Sequence, residues 1–541
     1  MNVIKEGFKK HSQYMEKAYL KKIENKPTFF LIIIGLVGIV IRLYYFPFDL
    51  PIVHDGVDYF SYAVVVSQQG QLPEGWILHN NGWPVFLSFF FSMFDLEDFL
   101  FLTHLQRYLT IVISVLTIIP VYLLCNRFIE KPYAILGAAI FAFDPRIIIN
   151  SLLGLTESVY VLLGGLTLFL FLSKNIKVVF ASFIVLSLFA MIRFEGILLV
   201  LPFWIIFFVR FRKDKKIVMK YLFVIGITVL VLFPMAFFRT EATGNDGLIT
   251  PLIGRSEWVS NTIIQGKIHT DDPIYGTESE NRLLQFIGLA ITNFTKFLGW
   301  VMIPTFIFFI PIGIYFFLKN RNASTVIVII FTVSLLVPSF YGYGRGIEET
   351  RYLYVIFPIF CLISSFTIKK ICTKFKKQNL VMVLLMIGII TSSLIFLDYK
   401  KIDYEYERES YLIAKDIVKI ANGINHYVPE SKYIQIAEIA NNWPVIPLPK
   451  ESPYDQSFEI KKISPNNFST LFEYIKNSKE KGLTHLVIDG KENKPEFLND
   501  VFYNEEKYPY LAKEYDSLER GFNYYVKIYK IDYKKFSSFS G

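Results

Sequence analysis

The sequence predicts an all-α polytopic membrane domain followed by a small α/β domain outside the membrane. The 541 residues are 53% hydrophobic and include 53 Phe, and the mean hydropathy is +0.40, more than a soluble protein surface tolerates. Apolar runs of about 20 residues recur, each long enough to cross the hydrocarbon core of a bilayer. Beyond residue 397 the composition becomes polar, charged and Tyr-rich, which marks a domain boundary.

About eleven spans are expected within 29–397. The preceding segment, 1–28, is basic and lacks an apolar core with a small-residue cleavage site, so the first span is expected to do the targeting. Arg42 and Arg107 fall near span ends and are expected to snorkel. The predicted spans are 29–47, 102–125, 133–150, 156–173, 178–192, 196–210, 218–238, 300–318, 324–340, 352–368 and 379–397.

The distribution of charged residues between the loops predicts how these spans are oriented in the membrane. With the amino terminus in the cytosol, the cytosolic segments hold 24 Lys and Arg against 5 Asp and Glu, and the opposite loops hold 9 against 18. This asymmetry is the one that the positive-inside rule requires. Because the net charge of +9 comes from the cytosolic loops, it gives no support to nucleic acid as a partner.

An odd number of spans places 398–541 on the extracytoplasmic side as an α/β domain. Two long outer loops, 48–101 and 239–299, are expected to carry function. Within the second loop, 284–299 is expected to lie on the membrane surface, because a twelfth span would reverse the orientation of everything after it. In the C-terminal domain the predicted strands are 433–439, 484–490 and 523–531, and the predicted helices are 468–482 and 495–511.

Two carboxylates follow the first span closely. Asp55 and Asp58 are three residues apart, with Pro51 and Gly56 beside them, on a turn or the start of a helix. They could face one reaction centre near the bilayer surface. The alternative is that acidic residues are simply common in loops outside the cytosol.

Further polar features lie on the same predicted face of the membrane. They are His79-Asn80-Asn81-Gly82-Trp83-Pro84, Asp144-Pro145-Arg146, Leu155-Thr156-Glu157, Arg193-Phe194-Glu195-Gly196, Arg345 and Glu348-Glu349-Thr350-Arg351-Tyr352.

In their order and common sidedness these features resemble the GT-C superfamily of integral-membrane glycosyltransferases. The closest resemblance is to the branch of dolichyl-phosphate-mannose protein mannosyltransferases and aminoarabinose transferases. That branch has a Tyr four residues after the leading Asp of its first outer loop, as Tyr59 follows Asp55. It also has an Arg-x-Glu-Gly-like turn and a late Arg-Tyr pair. The resemblance covers about residues 30 to 370, and Gly56 departs from it where many relatives carry a second acid.

The resemblance implies an inverting transfer of a hexosyl or pentosyl group from a dolichyl- or undecaprenyl-type phosphate to an acceptor hydroxyl. The reaction would take place at the extracytoplasmic face of a cell membrane or an ER-type membrane. Asp55 would be the general base, because a hydroxyl is a poor nucleophile until its proton is removed, and Asp58 would be its substitute. The substrate-binding residues implied are Tyr59, His79, Glu157, Arg193, Arg345 and Arg351.

Within this set the three arginines are expected to stabilise the leaving lipid phosphate, and Glu157 to orient the acceptor or bind the sugar. Structural alternatives stay open. Arg193 could pair with Glu195, Arg351 could pair with Glu348, and Glu157 could be an acid favoured by the dipole at a helix start.

No cofactor is expected to be required, although divalent Mg or Mn stays open. His54, His79 and His104 lie on the outer side with Asp55, but no compact ligand spacing joins them. The expected partners are membrane lipid, the lipid-phosphate-sugar donor and an acceptor, which could be a protein Ser or Thr, a lipid-linked glycan or an envelope polymer.

Two other functions compete with this one. A transporter or lipid flippase usually shows internal repeats with interrupted spans at matching positions, and none is evident. An oligosaccharyltransferase-like enzyme carries a Trp-Trp-Asp motif, whereas the C-terminal domain has a single Trp, Trp443.

Overall fold

The computed structural model describes residues 26–53, 55–94, 99–265, 282–401, 404–420, 425–427, 461–462, 465, 468–490 and 494–539. The predicted strand at 433–439 lies outside these ranges, as do His54 and Trp443. The chain divides into two compact units. The membrane unit comprises Met1–Phe46, Leu72–Phe86 and Leu105–Lys401, and the C-terminal unit comprises Pro47–Gln71, Leu87–His104 and Ile402–Gly541.

The described residues are predominantly α-helical. Short 3-10 helices lie at Phe194–Leu199 and Thr350–Ile356, and a π-helical turn lies at Val259–Ile264. The α-helices are α1 (Pro27–Tyr44), α2 (Asp55–Gln69), α3 (Gly82–Phe91), α4 (Phe99–Leu116), α5 (Ile118–Asn126), α6 (Lys131–Phe143), α7 (Pro145–Ser151), α8 (Glu157–Phe171), α9 (Ile176–Ile192), α10 (Val200–Phe211), α11 (Ile217–Thr243), α12 (Thr250–Trp258), α13 (Arg282–Met302), α14 (Ile310–Lys319), α15 (Ala323–Gly344), α16 (Phe357–Lys374), α17 (Gln378–Tyr399), α18 (Glu405–Ile420), α19 (Leu471–Ser478), α20 (Glu496–Tyr503) and α21 (Tyr533–Phe539).

The polytopic helical fold is confirmed. Among the described residues, seven helices are long and apolar enough to cross a membrane, or eight if α6 and α7 form one bent span. Two further predicted spans, 156–173 and 178–192, coincide with the shorter apolar helices α8 and α9. The span predicted at 300–318 is wrong in its first half, because α13 ends at Met302 and α14 begins only at Ile310. The seven are Pro27–Tyr44, Leu100–Asn126, Phe194–Phe211, Ile217–Thr243, Ala323–Gly344, Thr350–Lys374 and Gln378–Tyr399.

The single span predicted at 133–150 is broken in the structure. Helices α6 and α7 are bent by 50°, with Asp144 and Pro145 at the break. The Asp144 Oδ1 atom accepts hydrogen bonds from the backbone N–H groups of Arg146 (3.0 Å) and Ile147 (3.2 Å). A side-chain cap followed by proline starts a new helix, and this local chemistry outweighs the continuous apolar pattern.

Loops that the charge pattern assigns to the cytosol contact one another. The Lys369 Nζ atom lies 2.7 Å from Glu130 Oε1, at the ends of α16 and α5. Arg210, near the end of α10, donates to the carbonyl oxygen of Leu172 at 3.2 Å, and Arg127 donates to the same carbonyl group. Loops in contact must share one face of the membrane, so their relative sidedness agrees with the prediction.

The ends of the first and last spans also meet. The Tyr45 hydroxyl, just after α1, donates to the Asp398 carboxylate near the end of α17 at 2.6 Å. Two helices that end side by side require an odd number of membrane crossings from α1 through α17. Which compartment this face meets stays a prediction from charge.

The expectation that Arg42 and Arg107 snorkel is wrong, because both side chains are fully buried. Arg42 donates to the carbonyl oxygens of Gly38 (3.0 Å) and Ala142 (3.1 Å), and to the hydroxyls of Ser114 (3.0 Å) and Ser151 (3.1 Å). These four acceptors lie on α1, α4, α6 and α7. The guanidinium therefore joins four helices inside the membrane unit, where a charged group is stable only when its donors are satisfied.

The segment predicted to lie on the membrane surface belongs to α13. This helix is not among the candidate spans, although exposed Leu284, Ile291 and Trp300 give it an apolar outer side. Its buried residues recur every three or four positions, as on one helix face. They are Arg282, Phe286, Ala290, Asn293, Phe297 and Val301.

The C-terminal unit contains a five-stranded mixed sheet, which confirms the predicted α/β character. In order across the sheet the strands are β2, β1, β3, β5 and β4. β3 pairs in parallel with β1, and β5 lies antiparallel to β3 and β4. The predicted helix 495–511 is shorter than expected, since α20 ends at Tyr503 and β4 starts at Leu511. The strands are β1 (Asn425–Tyr427), β2 (Lys461–Lys462), β3 (His485–Asp489), β4 (Leu511–Asp516) and β5 (Val526–Ile531).

Arg42→Ala is expected to lower the free energy of unfolding by about 2–4 kcal/mol, because buried acceptors on four helices lose their donor. Arg42→Lys should restore only part of this, since an ammonium has three donors on a flexible stem. Thermal unfolding of the purified protein in detergent measures both effects. Arg212→Ala, at an exposed position after α10, is the control, and an unchanged melting temperature for Arg42→Ala would contradict the assignment.

Candidate active site

The predicted site residues fall into both units. Asp55, Asp58 and Tyr59 belong to the C-terminal unit, through its Pro47–Gln71 stretch. The others belong to the membrane unit, and each group is described by itself. The residues of the membrane-unit group are His79, Glu157, Arg193, Arg345 and Arg351.

Helix α2 begins at Asp55 and carries Asp58 in the same first turn. Both carboxylates are exposed, and Tyr59 is half-buried. Residues three apart lie on one side of a helix, and negative charge is favoured at the helix N-terminus. The structure thus brings the two acids of this motif to neighbouring positions on one helix end.

Asp58 is harder to ionise than an ordinary aspartate. Partial desolvation raises the pKa of Asp58, and the negative charge of Asp55 raises it further. Two carboxylates this close resist simultaneous ionisation. Asp58 therefore binds a proton at higher pH than an ordinary aspartate does.

The chain leading into α2 is held by α18. Leu50 and Val53 form a small buried cluster with Tyr411 of α18. Arg408, also on α18, donates to both carboxylate oxygens of Asp49. These contacts anchor Asp49, Leu50 and Val53, a few residues before Asp55.

The same helix is attached to the sheet. Glu409 of α18 accepts hydrogen bonds from the backbone N–H groups of Asn523 (3.0 Å) and Tyr524 (2.8 Å). These residues form the turn that leads into β5. Helix α18 therefore links the start of the Asp55 helix to the mixed sheet within the C-terminal unit.

In the membrane unit, a row of alternating charges joins four side chains. The Arg193 Nη1 atom lies 2.9 Å from Glu157 Oε1, and Nη2 lies 3.3 Å from Glu195 Oε1. The second guanidinium, that of Arg255, lies 3.9 Å from the same Glu195 oxygen. The side chains of Glu157, Glu195 and Arg193 are only 5%, 7% and 12% exposed. Such buried charges are stable because opposite charges meet.

Helix ends and the turn between them position the side chains of this charged row. Glu157 is the first residue of α8, Arg193 terminates α9 in an extended conformation, and Glu195 lies in the first turn of the following 3-10 helix. At Gly196, a Cβ atom would lie within 3.0 Å of Phe189 and Ala190. Glycine lets this turn pack directly on α9, which explains the Arg-Phe-Glu-Gly sequence.

The segment after His79 packs on the same helix end. A Cβ atom at Gly82 would lie 2.3 Å from the Met191 carbonyl oxygen, so only glycine allows this close approach. The indole N–H of Trp83 donates to the Gly154 carbonyl oxygen at 3.0 Å. His79 itself is exposed, and its pKa is lowered by partial desolvation and by the positive charge of Arg255.

A small cleft opens beside the charged row. The Arg193 guanidinium carbon lies 5.5 Å from the ring centre of Tyr160 and 5.9 Å from that of Tyr352. Tyr160 is stacked on Phe189 at 4.0 Å, which holds its ring in place. The lining residues are Glu157, Tyr160, Val161, Arg193, Glu195, Leu335, Pro338, Ser339, Arg351, Tyr352 and Val355.

Arg351 lines the cleft but does not pair with Glu348 as the sequence suggested. Its guanidinium donates to Glu349 Oε1 at 3.1 Å, whereas Glu348 pairs with Lys296 at 3.1 Å. The 3-10 helix starts at Thr350, and Glu349 before it is extended, so Glu348 lies outside the helical turn that contains Arg351. The ion pair between Arg193 and Glu195, which the sequence left open as an alternative role, is present, and Arg193 also pairs with Glu157.

Arg345 lies outside the cleft lining. Its guanidinium carbon is 4.6 Å from the ring centre of Trp258, and Trp258 makes an edge contact with Tyr341. Arg255 lies over Phe194 at 3.9 Å. The two arginines thus lie on aromatic rings of α12 and of the 3-10 helix that follows α9, where cation–π contacts hold them.

Sequence reasoning missed Arg255, Tyr160 and Tyr352 as site residues and left Glu195 as an ion-pair partner only. Arg255 lies in a long loop without a recognisable motif. Tyr160 was hidden in an apolar run, although its spacing of three from Glu157 on α8 could have indicated a shared helix face. Across the described ranges, no three His, Cys, Asp or Glu residues are arranged to hold a metal ion.

No family model matches the sequence, and no curated protein matches it. Solved structures do match. The oligosaccharyltransferase of Archaeoglobus fulgidus in its apo form aligns with a TM-score of 0.53 and 12% identity over 85% of this chain and 69% of that chain. The same archaeal enzyme, AglB, in complex with an inhibitory peptide and a dolichol-phosphate aligns with a TM-score of 0.51 and 11% identity, over 86% of this chain and 70% of that chain.

ArnT from Cupriavidus metallidurans bound to undecaprenyl phosphate aligns with a TM-score of 0.52 and 10% identity, over 93% of this chain and 98% of that chain. At such low identity the likeness shows the fold alone. The predicted resemblance to GT-C transferases is thus confirmed for the architecture of the chain.

Arg193→Ala is expected to destabilise the protein by about 3–5 kcal/mol, because two buried carboxylates lose their shared cation. Arg193→Lys should recover only part, since one ammonium cannot donate to both carboxylates in the same fork geometry. Chemical denaturation in detergent measures the difference. Arg351→Ala, which breaks a partly exposed pair, should cost less than about 1 kcal/mol. Equal losses for the two alanine variants would argue against a buried row of charges.

Asp58→Asn is expected to stabilise the folded protein slightly at pH 7, by less than about 1 kcal/mol. A carboxyl whose folded pKa is raised contributes stability that is fully present below its unfolded pKa and lost as pH rises through the folded pKa. The advantage of the variant should therefore vanish below the ordinary value of 3.8. Melting temperatures measured at pH 3.5 and pH 7 test this, and a lower melting temperature for the variant at pH 7 would contradict it.

Proposed function

We propose that this protein is a membrane glycosyltransferase that moves a sugar from a polyprenyl phosphate to an acceptor hydroxyl. The observation that carries the proposal is the cleft, where aromatic rings lie beside a buried row of carboxylates and guanidiniums. Aromatic faces with a few placed polar groups are typical of small-ligand sites. The fold shared with transferases makes a sugar the favoured ligand.

The lipids bound in the matching solved structures support a lipid donor. ArnT was solved with undecaprenyl phosphate, and AglB with a dolichol-phosphate. A polyprenyl phosphate keeps its tail in the bilayer and its phosphate at the surface, so catalytic groups are needed at span ends. In the charged row, Glu157 starts the apolar helix α8 and Arg193 follows the apolar helix α9.

Asp55 is proposed as the general base. Its carboxylate accepts the proton of the acceptor hydroxyl as that oxygen attacks the anomeric carbon. The bond from the anomeric carbon to the phosphate oxygen breaks, inverting the centre and releasing the lipid phosphate. The exposed carboxylate at the start of α2 and its anchored preceding chain suit a fixed base, and Asp58 is proposed to assist.

The charges around the cleft indicate which residues bind the sugar or acceptor and which bind the leaving phosphate. Arg193 is shared by two carboxylates, so little of its charge is left for a phosphate. We therefore assign Arg193 and Glu157 to sugar or acceptor binding, and Arg345 and Arg351 to the leaving phosphate. Tyr59 and His79 are proposed as further substrate contacts.

The share of each solved chain that aligns with this protein bears on the choice between an ArnT-type transferase and an oligosaccharyltransferase. The alignment covers 98% of the ArnT chain but 69% of the apo oligosaccharyltransferase chain. This favours a transferase of ArnT type over an oligosaccharyltransferase. We propose a multi-pass protein with its active face outside the cytosol, acting on a protein, glycan or envelope-polymer acceptor without a required metal.

Asp55→Asn is expected to reduce transfer by at least about 100-fold, because the amide cannot accept the hydroxyl proton. Release of undecaprenyl phosphate from undecaprenyl-phosphate glucose, mannose and aminoarabinose by the purified protein measures it. The matched control is Glu74→Gln, an exposed acid in the same outer loop. Turnover of Asp55→Asn at the wild-type rate would refute the assignment of the base.

The same assay tests the function itself. A donor that is consumed with release of lipid phosphate supports the transferase. Vectorial movement of a lipid-linked sugar across a vesicle membrane without bond cleavage would instead identify a transporter or flippase.

A further inference from the structure

We propose that Glu195 determines which sugar the cleft accepts, by taking a hydrogen bond from a hydroxyl or ammonium group of the sugar ring. This inference rests on the proposed glycosyltransferase function. It assigns a specificity role to a side chain that the motif pattern treats only as the partner of an arginine.

The two oxygens of the Glu195 carboxylate differ in their surroundings. Oε1 lies 3.3 Å from Arg193 and 3.9 Å from Arg255. Within the described part of the chain, Oε2 is buried and has no hydrogen-bond partner. The side chain is only 7% exposed, and it lines the cleft beside Tyr160 and Tyr352.

A buried oxygen without a partner is costly, and nearly all such groups in native proteins are satisfied. The Arg193 guanidinium donates to Oε1 at 3.3 Å and that of Arg255 lies 3.9 Å from the same atom, so one hydrogen bond and one longer ion pair orient the carboxylate through Oε1. The missing partner must be a donor. A ligand hydroxyl or ammonium fits this requirement, whereas a phosphate oxygen would meet a like charge.

The charges around Glu195 point to the same part of the donor molecule. Glu157 and Glu195 balance Arg193 and Arg255, so the row carries no net charge. A neutral row favours the sugar over the phosphate of a lipid-phosphate sugar. The ring of Tyr352, which is only partly buried and lines the cleft, offers an apolar face against which the C–H side of a pyranose can pack. The ring of Tyr160 is buried in contact with Phe189 and Arg193.

The variant Glu195→Gln tests this assignment, because the amide keeps the size of the side chain but removes the charge that strengthens the bond. Binding of undecaprenyl-phosphate glucose to the purified full-length protein should weaken by about 10- to 100-fold. Binding of bare undecaprenyl phosphate should not change. Titration calorimetry in detergent gives both affinities, and Glu241→Gln, an exposed acid at the end of α11, is the matched control.

A series of deoxyglucose donors identifies the contacting hydroxyl. One deoxy donor should bind the wild type and Glu195→Gln with equal affinity, because the bond is already absent. A merely structural role would lower the affinity for every donor, and for bare lipid phosphate, by the same factor. That result, or an unchanged affinity for all ligands, overturns the proposal.

If Glu195→Gln does not fold, Glu195→Asp replaces it, since the shorter acid keeps the charge opposite Arg193 but withdraws Oε2 from the cleft. Glu195→Asp should likewise weaken the binding of undecaprenyl-phosphate glucose and leave the binding of bare undecaprenyl phosphate unchanged.

The sugar site and the transfer reaction can be refuted separately. A wild-type protein that shows this discrimination but releases no lipid phosphate refutes the transfer and keeps the sugar site, whereas transfer that is indifferent to Glu195 refutes the site alone.

Discussion

The rest of this structure depends on one constraint, which is that each charged side chain buried in the apolar fold must find polar or oppositely charged partners. Arg193 can lie at the inner end of a cleft only because Glu157 and Glu195 both reach it. Arg42 meets the same demand differently, with backbone carbonyls and serine hydroxyls instead of carboxylates. One arginine therefore joins helices, while the other shapes a polar site. The difference lies in whether the partners are neutral or ionised, because an ionised pair leaves oxygen atoms available for a ligand.

The two groups of site residues are organised by different means. In the membrane unit, glycines at positions 82 and 196 let backbone segments pack tightly on α9, so the charged row rests on rigid helix ends. In the C-terminal unit, α18 joins the chain before Asp55 to the mixed sheet through Tyr411 and Glu409. Within this unit, the C-terminal segment therefore supports the chain that comes before the proposed base, Asp55.

Much of the architecture could be predicted because its causes are local. Apolar length predicts spans, and the contact between Lys369 and Glu130 agrees with the sidedness that the charge pattern predicts. The short strands predicted at 484–490 and 523–531 contain β3 and β5. The break at Asp144 escaped prediction because a cap and a proline compete with hydrophobicity. In the site, Glu157 and Arg193 could be predicted from motifs, whereas Arg255 comes from a loop without one, and the pairing of Arg351 depends on a 3-10 turn.

The sequence by itself determined that this chain is a polytopic membrane protein with a polar C-terminal domain, since composition and periodicity act through solvation alone and need no knowledge of contacts. It also placed acids and arginines on one predicted face. Only the tertiary structure decided which of them pair, that Arg42 is buried, and that one buried oxygen of Glu195 has no hydrogen-bond partner among the described residues. Those outcomes depend on distances of a few ångströms between residues far apart in the chain, and ion pairs and hydrogen bonds change sharply over that range.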